Sequence, residues 1–262
     1  AINGIDNVFD DTLGMFGDDV LYIQKFPWFM GNADWWEFRN RPDIKEEYGQ
    51  KILERSSSIE YASVETNRRV TLSYKDNTSE GVDLGGRGWQ SAYIDVAKIE
   101  KGRYYTQLED KSAARVILIG SEVNNVLFPN VEDPCGLYLK VNGLKFRVIG
   151  VFAEQGKVMG LFSVDNMAVI PFQTMKAVFG RTWWISIPLK VRDGVDKEYA
   201  LEEVRYITRG LRGLRPLDED NFAINQQEAM EDELGKIKSA IGAVGIGIAA
   251  LSLLVGGIGI MN

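Results

Sequence analysis

Few residues in this chain could carry out chemistry, and those that could are poorly placed for it. Histidine is absent, which removes the usual general base and the commonest zinc ligand. The lone cysteine, Cys135, has no lysine, histidine or second cysteine near it in sequence to draw off its proton. It is therefore expected to be a small buried filler, not a nucleophile. Carboxylates occur in adjacent pairs, Asp10/Asp11, Asp18/Asp19 and Glu202/Glu203, and such pairs could in principle divide acid and base work. Neighbours point apart on a strand and occupy different faces of a helix, so these pairs are expected to be solvated. Gly85-Gly86-Arg87-Gly88 lacks the Lys-Ser/Thr pair and the helix start of a phosphate-cradling loop, and reads as a turn. Asn77-Thr78-Ser79 has the pattern of a glycosylation acceptor, but in a polar turn that match is mostly chance. The sequence thus gives no catalytic residue, no cofactor site and no metal site.

The elements say more than the reactive side chains. Ala240 to Met261 carries no charge over about 22 positions, close to the roughly 20 apolar residues that a helix needs to cross a bilayer core. Gly242, Gly245, Ala249, Ser252, Gly256 and Gly259 are small and spaced alternately by three and four, which puts them on one helical stripe. In lipid, such a stripe lets a second helix approach closely while the aliphatic residues face hydrocarbon. The alternative is a buried helix in a large soluble core. All charge lies at or before Lys238, 30 basic against 37 acidic residues, and the resulting net of −7 argues against nucleic acid and anionic lipid as partners. The chain starts at Ala1 without methionine and reads as an excised piece with no cleavable signal at its start.

Periodicity places the rest. Apolar residues at threes and fours predict an amphipathic helix over 2–17, and Val20 to Phe26 a strand. Pro27 to Pro42 has no clean period and is dense in aromatics. Trp28, Phe29, Trp35, Trp36 and Phe38 are expected to fill a small core, with an adhesive partner surface as the alternative. Asp43 and Glu46 form a capping-box signature ahead of a helix with Ile44, Tyr48 and Ile52 on one face, ended by Ser56-Ser57-Ser58. Strands follow over Ile59 to Tyr74 and Val82 to Leu84, joined by a turn at Lys75 to Ser79. Ala114 to Gly120 reads as a strand buried on both faces, and Ser121 as the cap of the next helix. Alternation on either side of Asn142-Gly143 is the strongest hairpin signal in the chain. Beyond it come a strand at Ala168 to Ile170, a helix after Pro171 ended by Gly180, and a strand from Trp183 to Val191. A helix over 197–212 and a short strand at Phe222 to Asn225 complete the mixed α+β pattern. From Gln226 a helix can run to Met261 for about 54 Å, with Gly235 its weakest point.

Between Gly102 and Gly180 the order of short motifs becomes specific. Gly102-Arg103-Tyr104-Tyr105, Ser112-Ala113-Ala114-Arg115-Val116, Ile119-Gly120-Ser121-Glu122-Val123 and Leu127-Phe128 precede Asp133-Pro134-Cys135-Gly136, Val141-Asn142-Gly143, Phe146-Arg147-Val148-Ile149-Gly150-Val151 and Val169-Ile170-Pro171. This order resembles the MacB-like periplasmic core domain, and Val255-Gly256-Gly257-Ile258-Gly259-Ile260-Met261-Asn262 resembles the start of an FtsX-like permease region. The aromatic insert at 27–42 is unlike the compact version of that domain.

The resemblance implies a mixed α+β periplasmic domain over 1–239, with a β-α-β subdomain and a second small α/β lobe, one inserted in the other. Long helices would flank it and lead to the membrane, and 240–262 would be a transmembrane helix. It further implies an ABC transporter permease subunit in a bacterial inner membrane, its main domain facing the periplasm. Such a subunit works as a homodimer or paired permease with a cytoplasmic ABC ATPase, whose nucleotide-binding domain holds the ATP and Mg. The substrate class would be a peptide, lipoprotein or antibiotic-type molecule. A binding platform for a periplasmic adaptor or lipoprotein is the alternative.

Overall fold

The computed structural model describes residues 19–28, 35–95, 97–154, 164–180 and 184–227, with Gly235, Val244 and Gly247, which are helical. In chain order the first elements are β1 (Val20–Gln24), α1 (Trp35–Arg39), α2 (Glu47–Arg55), β2 (Ile59–Ala62), β3 (Glu65–Tyr74), β4 (Asn77–Arg87), α3 (Ser91–Ile94), β5 (Ile99–Gly102) and α4 (Gln107–Lys111). They are followed by β6 (Val116–Ile119), α5 (Ser121–Leu127), β7 (Tyr138–Val141), β8 (Leu144–Phe152), a 3-10 turn at Val164–Asn166, β9 (Met167–Pro171), α6 (Phe172–Phe179), β10 (Ile187–Val191), α7 (Lys197–Leu211) and β11 (Ala223–Asn225).

Two sheets organise these elements. The first is four-stranded and antiparallel, in the order β11-β1-β10-β2. Leu21 and Ile23 of β1 and Ile187, Leu189 and Val191 of β10 lie two apart along their strands and share one core, which gives the sheet an apolar face. Helices α2 and α7 cover that face with Tyr48, Ile52, Ala200, Val204 and Ile207. Burying one such aliphatic side chain is worth about 1.5–3 kcal/mol, so this layer explains why short strands from distant parts of the chain stay together.

The second sheet has the order β5-β8-β6-β9-β4-β3-β7, and β7 also pairs with β8, so the sheet curls round and closes on itself. Most neighbours are antiparallel; β4 with β9 and β6 with β8 are parallel. Val116 to Ile119 are buried at every position, as a strand covered on both faces must be. Leu72, Leu84, Ile117, Ile119, Phe146 and Val148 point to one core, joined by Val123 and Leu127 of α5 and Met175 of α6. Leu118, Ile149, Phe152 and Val169 point the other way, to a smaller core with Tyr105.

Local chemistry sets the turns. Asn142 and Gly143 both take positive φ, 46° and 87°, between Val141 and Leu144. A two-residue loop of that kind matches the right-handed strand twist. Asn142 also accepts a hydrogen bond from the Thr71 amide at 3.1 Å, which pins the hairpin to β3.

Several expectations are corrected. Gly85 to Arg87 is the end of strand β4, not a turn: a Cβ on Gly86 would lie 2.6 Å from Met175 Cβ, so the glycine lets α6 settle on the strand. Asp43 does not cap α2. The helix begins after Glu46 without a side-chain cap, and Asp43 instead pairs with Lys25 at 3.0 Å. Ser121 is the first residue of α5 and donates to Asp165 at 2.9 Å. The strand expected from Ile59 to Tyr74 breaks at Ser63-Val64, where the chain leaves the first sheet for the second. The stretch 27–42 holds the short helix α1. Among the described residues no helix is long and apolar enough to cross a membrane, and the helix expected over 2–17 lies outside them. So do 240–262, apart from Val244 and Gly247.

Candidate functional site at the junction of the two sheets

The chain crosses between the sheets at two places, and the crossings are paired. Going out, it passes Ser63-Val64 into Glu65; coming back, it passes Ser186 into β10. Glu65 and Ser186 exchange both backbone hydrogen bonds, at 2.8 and 2.9 Å. Gly88, just after β4, donates its amide to Val64 O at 2.9 Å, and a Cβ there would meet Ser63 Oγ at 2.8 Å.

A charged cluster fills this crossing. Arg87 Nη1 donates to Asp95 Oδ2 at 2.6 Å, and Arg87 Nε lies 3.7 Å from Glu65 Oε1. All three side chains are largely enclosed, at 22, 20 and 13 % exposure for Arg87, Glu65 and Asp95. Ser91 Oγ donates to Glu65 at 3.2 Å and shares a 2.8 Å hydrogen bond with Ser63 Oγ. Burial pushes the Glu65 carboxyl above its ordinary range, Arg87 pulls it back, and Asp95 pushes it up again. Burial also works against charging Arg87, but Asp95 and Glu65 outweigh it, so the guanidinium stays a cation. Tyr104 and Tyr105 flank it, and Tyr105 donates to Arg87 O at 2.7 Å. Buried Asp110 accepts from the amides of Trp89 and Gln173 at 3.1 and 3.2 Å, which ties the segment after β4 to the start of α6. Sequence reading missed this cluster because a strand pairing and a turn, not a motif, bring Glu65, Arg87 and Asp95 together; Arg87 inside a glycine run was the only local signal.

Trp28, Phe38 and Trp184 gather at the end of β1, around Tyr22, Gln24 and Phe26. Trp28 Nε1 donates to Gln24 Oε1 at 2.9 Å, and the Trp28 ring sits 5.3 Å from that of Tyr22. Asn225 accepts from the Trp28 amide at 3.0 Å and donates to Gln24 and Phe26 O at 2.8 and 3.0 Å. Phe38 is buried, 6.4 Å from Phe26, with the Arg41 guanidinium 4.5 Å over its ring. Trp36 is 56 % exposed. Trp184, not singled out in the sequence, is 62 % exposed and packs 5.0 Å from Phe26. Phe29 and the Trp35 side chain lie outside the described residues, as do the stripe positions Gly242, Gly245, Ala249, Ser252, Gly256 and Gly259. The structure therefore divides the candidate surface: Phe38 is packing, Trp28 is half-buried, and Trp36 faces outward.

Of the groups considered for chemistry, Asp10, Asp11 and Asp18 lie outside the described residues, and the others are otherwise occupied. Glu203 is half-exposed but not free in solvent. It accepts from Ser56 Oγ, Ser57 Oγ and the amides of Ser57 and Ser58 at 2.5–3.1 Å, and these bonds outweigh burial to hold its carboxyl at about 2. Glu202 pairs with Arg205, and Asp19 lies 3.9 Å from Lys197. Cys135 is half-buried, its thiol pushed up to about 11 by burial and by Asp133. Among the described residues no three Cys, Asp or Glu side chains gather to hold a metal ion.

Two sheets with helices on the outer faces, joined by a double crossing, place the molecule among mixed α+β domains of the kind found outside the membrane in MacB. The periplasmic region of MacB from Actinobacillus actinomycetemcomitans superposes with a TM-score of 0.67 at 19 % identity, covering 87 % of this chain and 98 % of that one. Residues 1–207 match the family model of the MacB-like periplasmic core domain, and the chain belongs to that family. In sequence it is similar to the pyoverdine export ATP-binding/permease protein PvdT of Pseudomonas savastanoi pv. phaseolicola, 30 % identical over 187 residues, which is 71 % of this chain and 28 % of that protein. It is also similar to the uncharacterized ABC transporter permease YknZ of Bacillus subtilis, 29 % identical over 81 % of this chain and 51 % of that one. The chain thus spans between about a quarter and a half of these relatives.

Proposed function

We propose that this chain is the extracytoplasmic part of an ABC transporter permease subunit, and that it passes motion driven by a cytoplasmic ATPase to the outer side of a bacterial inner membrane. The observation that carries this reading is the family match over residues 1–207. Names of relatives that join an ATP-binding part to a permease support it, because they supply the ATPase this chain lacks a loop for. ATP and Mg would sit on that partner domain. Residues 240–262 would form a spanning helix, its small-residue stripe packed on the helices of a paired subunit. The cargo would be a peptide, lipoprotein or antibiotic-type molecule. The test uses the full transporter, spin-labelled at Lys145 in both copies of a dimer. The separation of the labels should change between the nucleotide-free and ATP-trapped states, and identical distributions would reject the coupling.

A second reading, a platform for a periplasmic adaptor or lipoprotein, is favoured by one observation. Trp36 and Trp184 leave large aromatic surface in water, and Phe26 packs against both Trp184 and Phe38 of the Trp36 helix.

A further inference from the structure

We propose that Arg87, held between Glu65 and Asp95, is a latch that fixes the angle between the two sheets. The argument starts from where the three residues sit. Arg87 ends β4 of the closed sheet and Glu65, its cross-strand partner, opens β3 of the same sheet while pairing its backbone with the returning Ser186. Asp95 follows α3, a helix seated on the other sheet: Tyr93 stacks on Tyr61 of β2 with ring centroids 4.8 Å apart and planes 8° from parallel. Through Asp95 the guanidinium therefore ties the edge of the closed sheet, where it meets the crossing, to a helix carried by its neighbour. Among the described residues the other groups facing the cluster are Ser63, Ser91, Tyr104 and Tyr105, none a cation, with the Tyr22 hydroxyl raised by burial, Glu65 and Asp95. Two carboxylates thus share one positive charge.

Energetics favour a geometric role over a stabilising one. Enclosing three charges carries a desolvation cost that their attraction roughly offsets, so apolar residues of similar size would hold the sheets together as well. What apolar contacts lack is direction. A 2.6 Å guanidinium–carboxylate bond and a serine pair at 2.8 Å tolerate little sliding or rotation, whereas packed methyl groups permit both. Gly88, whose bare Cα lets the backbone meet Ser63, brings the crossing close enough for these bonds to form. The use of the latch in transmission rests on the permease reading above; its existence does not.

The experiment measures the angle in the whole 262-residue chain, in detergent and without nucleotide or ATPase. Spin labels at Arg55 in α2 and Lys145 in β8, in a Cys135→Ser background, report the distance between the sheets. The parent should give one narrow peak. Arg87→Met should lose it, and so should the neutral triple variant Arg87→Met/Glu65→Gln/Asp95→Asn, which leaves no buried charge unpaired and should keep a cooperative thermal transition. A narrow, unshifted peak in the folded triple variant would overturn the proposal. Failure of both variants to fold would also overturn it, because the cluster would then belong to the stability of the fold and not to its hinge. If the parent peak is narrow yet the full transporter shows no response to ATP, the latch stands and the permease reading fails.

Discussion

Met175 rests on the backbone of Gly86: a β-carbon on the glycine would fall 2.6 Å from Met175 Cβ and 2.8 Å from its Cγ. Gly86→Ala should therefore push α6 away from β4 and cost about 1–3 kcal/mol, read as a lower urea midpoint. Adding Met175→Ala should not restore the loss, because the contact is with Cβ, which alanine keeps. A midpoint equal to the parent's would mean that α6 moves at no cost.

Glu203 gives a pH signature. Its carboxyl is held at about 2 by the serine turn, below the ordinary value of about 4.3. A folded-state value below the unfolded one adds stability above pH 4, and that stability is lost as pH falls through the folded value. Glu203→Gln should lower stability by about 1–2 kcal/mol at pH 7, a size set by hydrogen bonds to a charged group in a half-exposed site. The gap between variant and parent should hold down to about pH 4, narrow as the unfolding is repeated towards pH 2, and close only below it. A gap independent of pH would show that shape matters there and charge does not.

Cys135 should resist alkylation. Its thiol sits at about 11 and the free amino acid at about 8.5, so only a small fraction is thiolate at pH 8. Iodoacetamide labelling should be slow at pH 8 and still accelerating at pH 10. Burial is the larger cause, so Asp133→Asn should speed labelling only in part. Rapid labelling of the parent at pH 7 would contradict this environment.

The two outward tryptophans can be separated from the buried phenylalanine. Trp36→Ser/Trp184→Ser should leave the thermal transition close to the parent's and abolish co-purification with an adaptor or lipoprotein, if the surface serves one. Phe38→Ser removes a buried ring and should cost about 3–5 kcal/mol whether or not a partner exists. Full retention of a partner by the tryptophan variant would remove this surface from consideration.

What could be read from sequence was local. Periodicity located α7 and the Asn142-Gly143 hairpin because a helical stripe and a two-residue turn are written in neighbouring residues. The break at Ser63-Val64 was not legible, since the apolar pattern carries through it and only pairing partners far along the chain decide where one sheet ends. Gly85 to Arg87 reads as a turn for the same reason: glycine marks turns and close backbone approach alike, and at Gly86 only the arrival of Met175 distinguishes them. Glu203 looked solvated beside Glu202, yet three serines that precede it by well over a hundred positions surround it. Arg87 shows the limit most clearly, since its meaning depends on Glu65, Asp95 and the crossing at once.

The order of strands in the four-stranded sheet has a consequence for how the protein is made. Its inner strand β1 pairs only with β10 and β11, whereas the closed sheet is built wholly from strands between Glu65 and Pro171. On the ribosome the closed sheet can therefore complete its core while β1 and β2 still wait for residues not yet synthesised. Distant pairings are slow to form, and an apolar face left open during translation invites aggregation or chaperone capture. The expected fragile interval in biogenesis is thus the stretch of elongation between Pro171 and Asn225, when one half of the molecule is finished and the other still lacks two of its four strands.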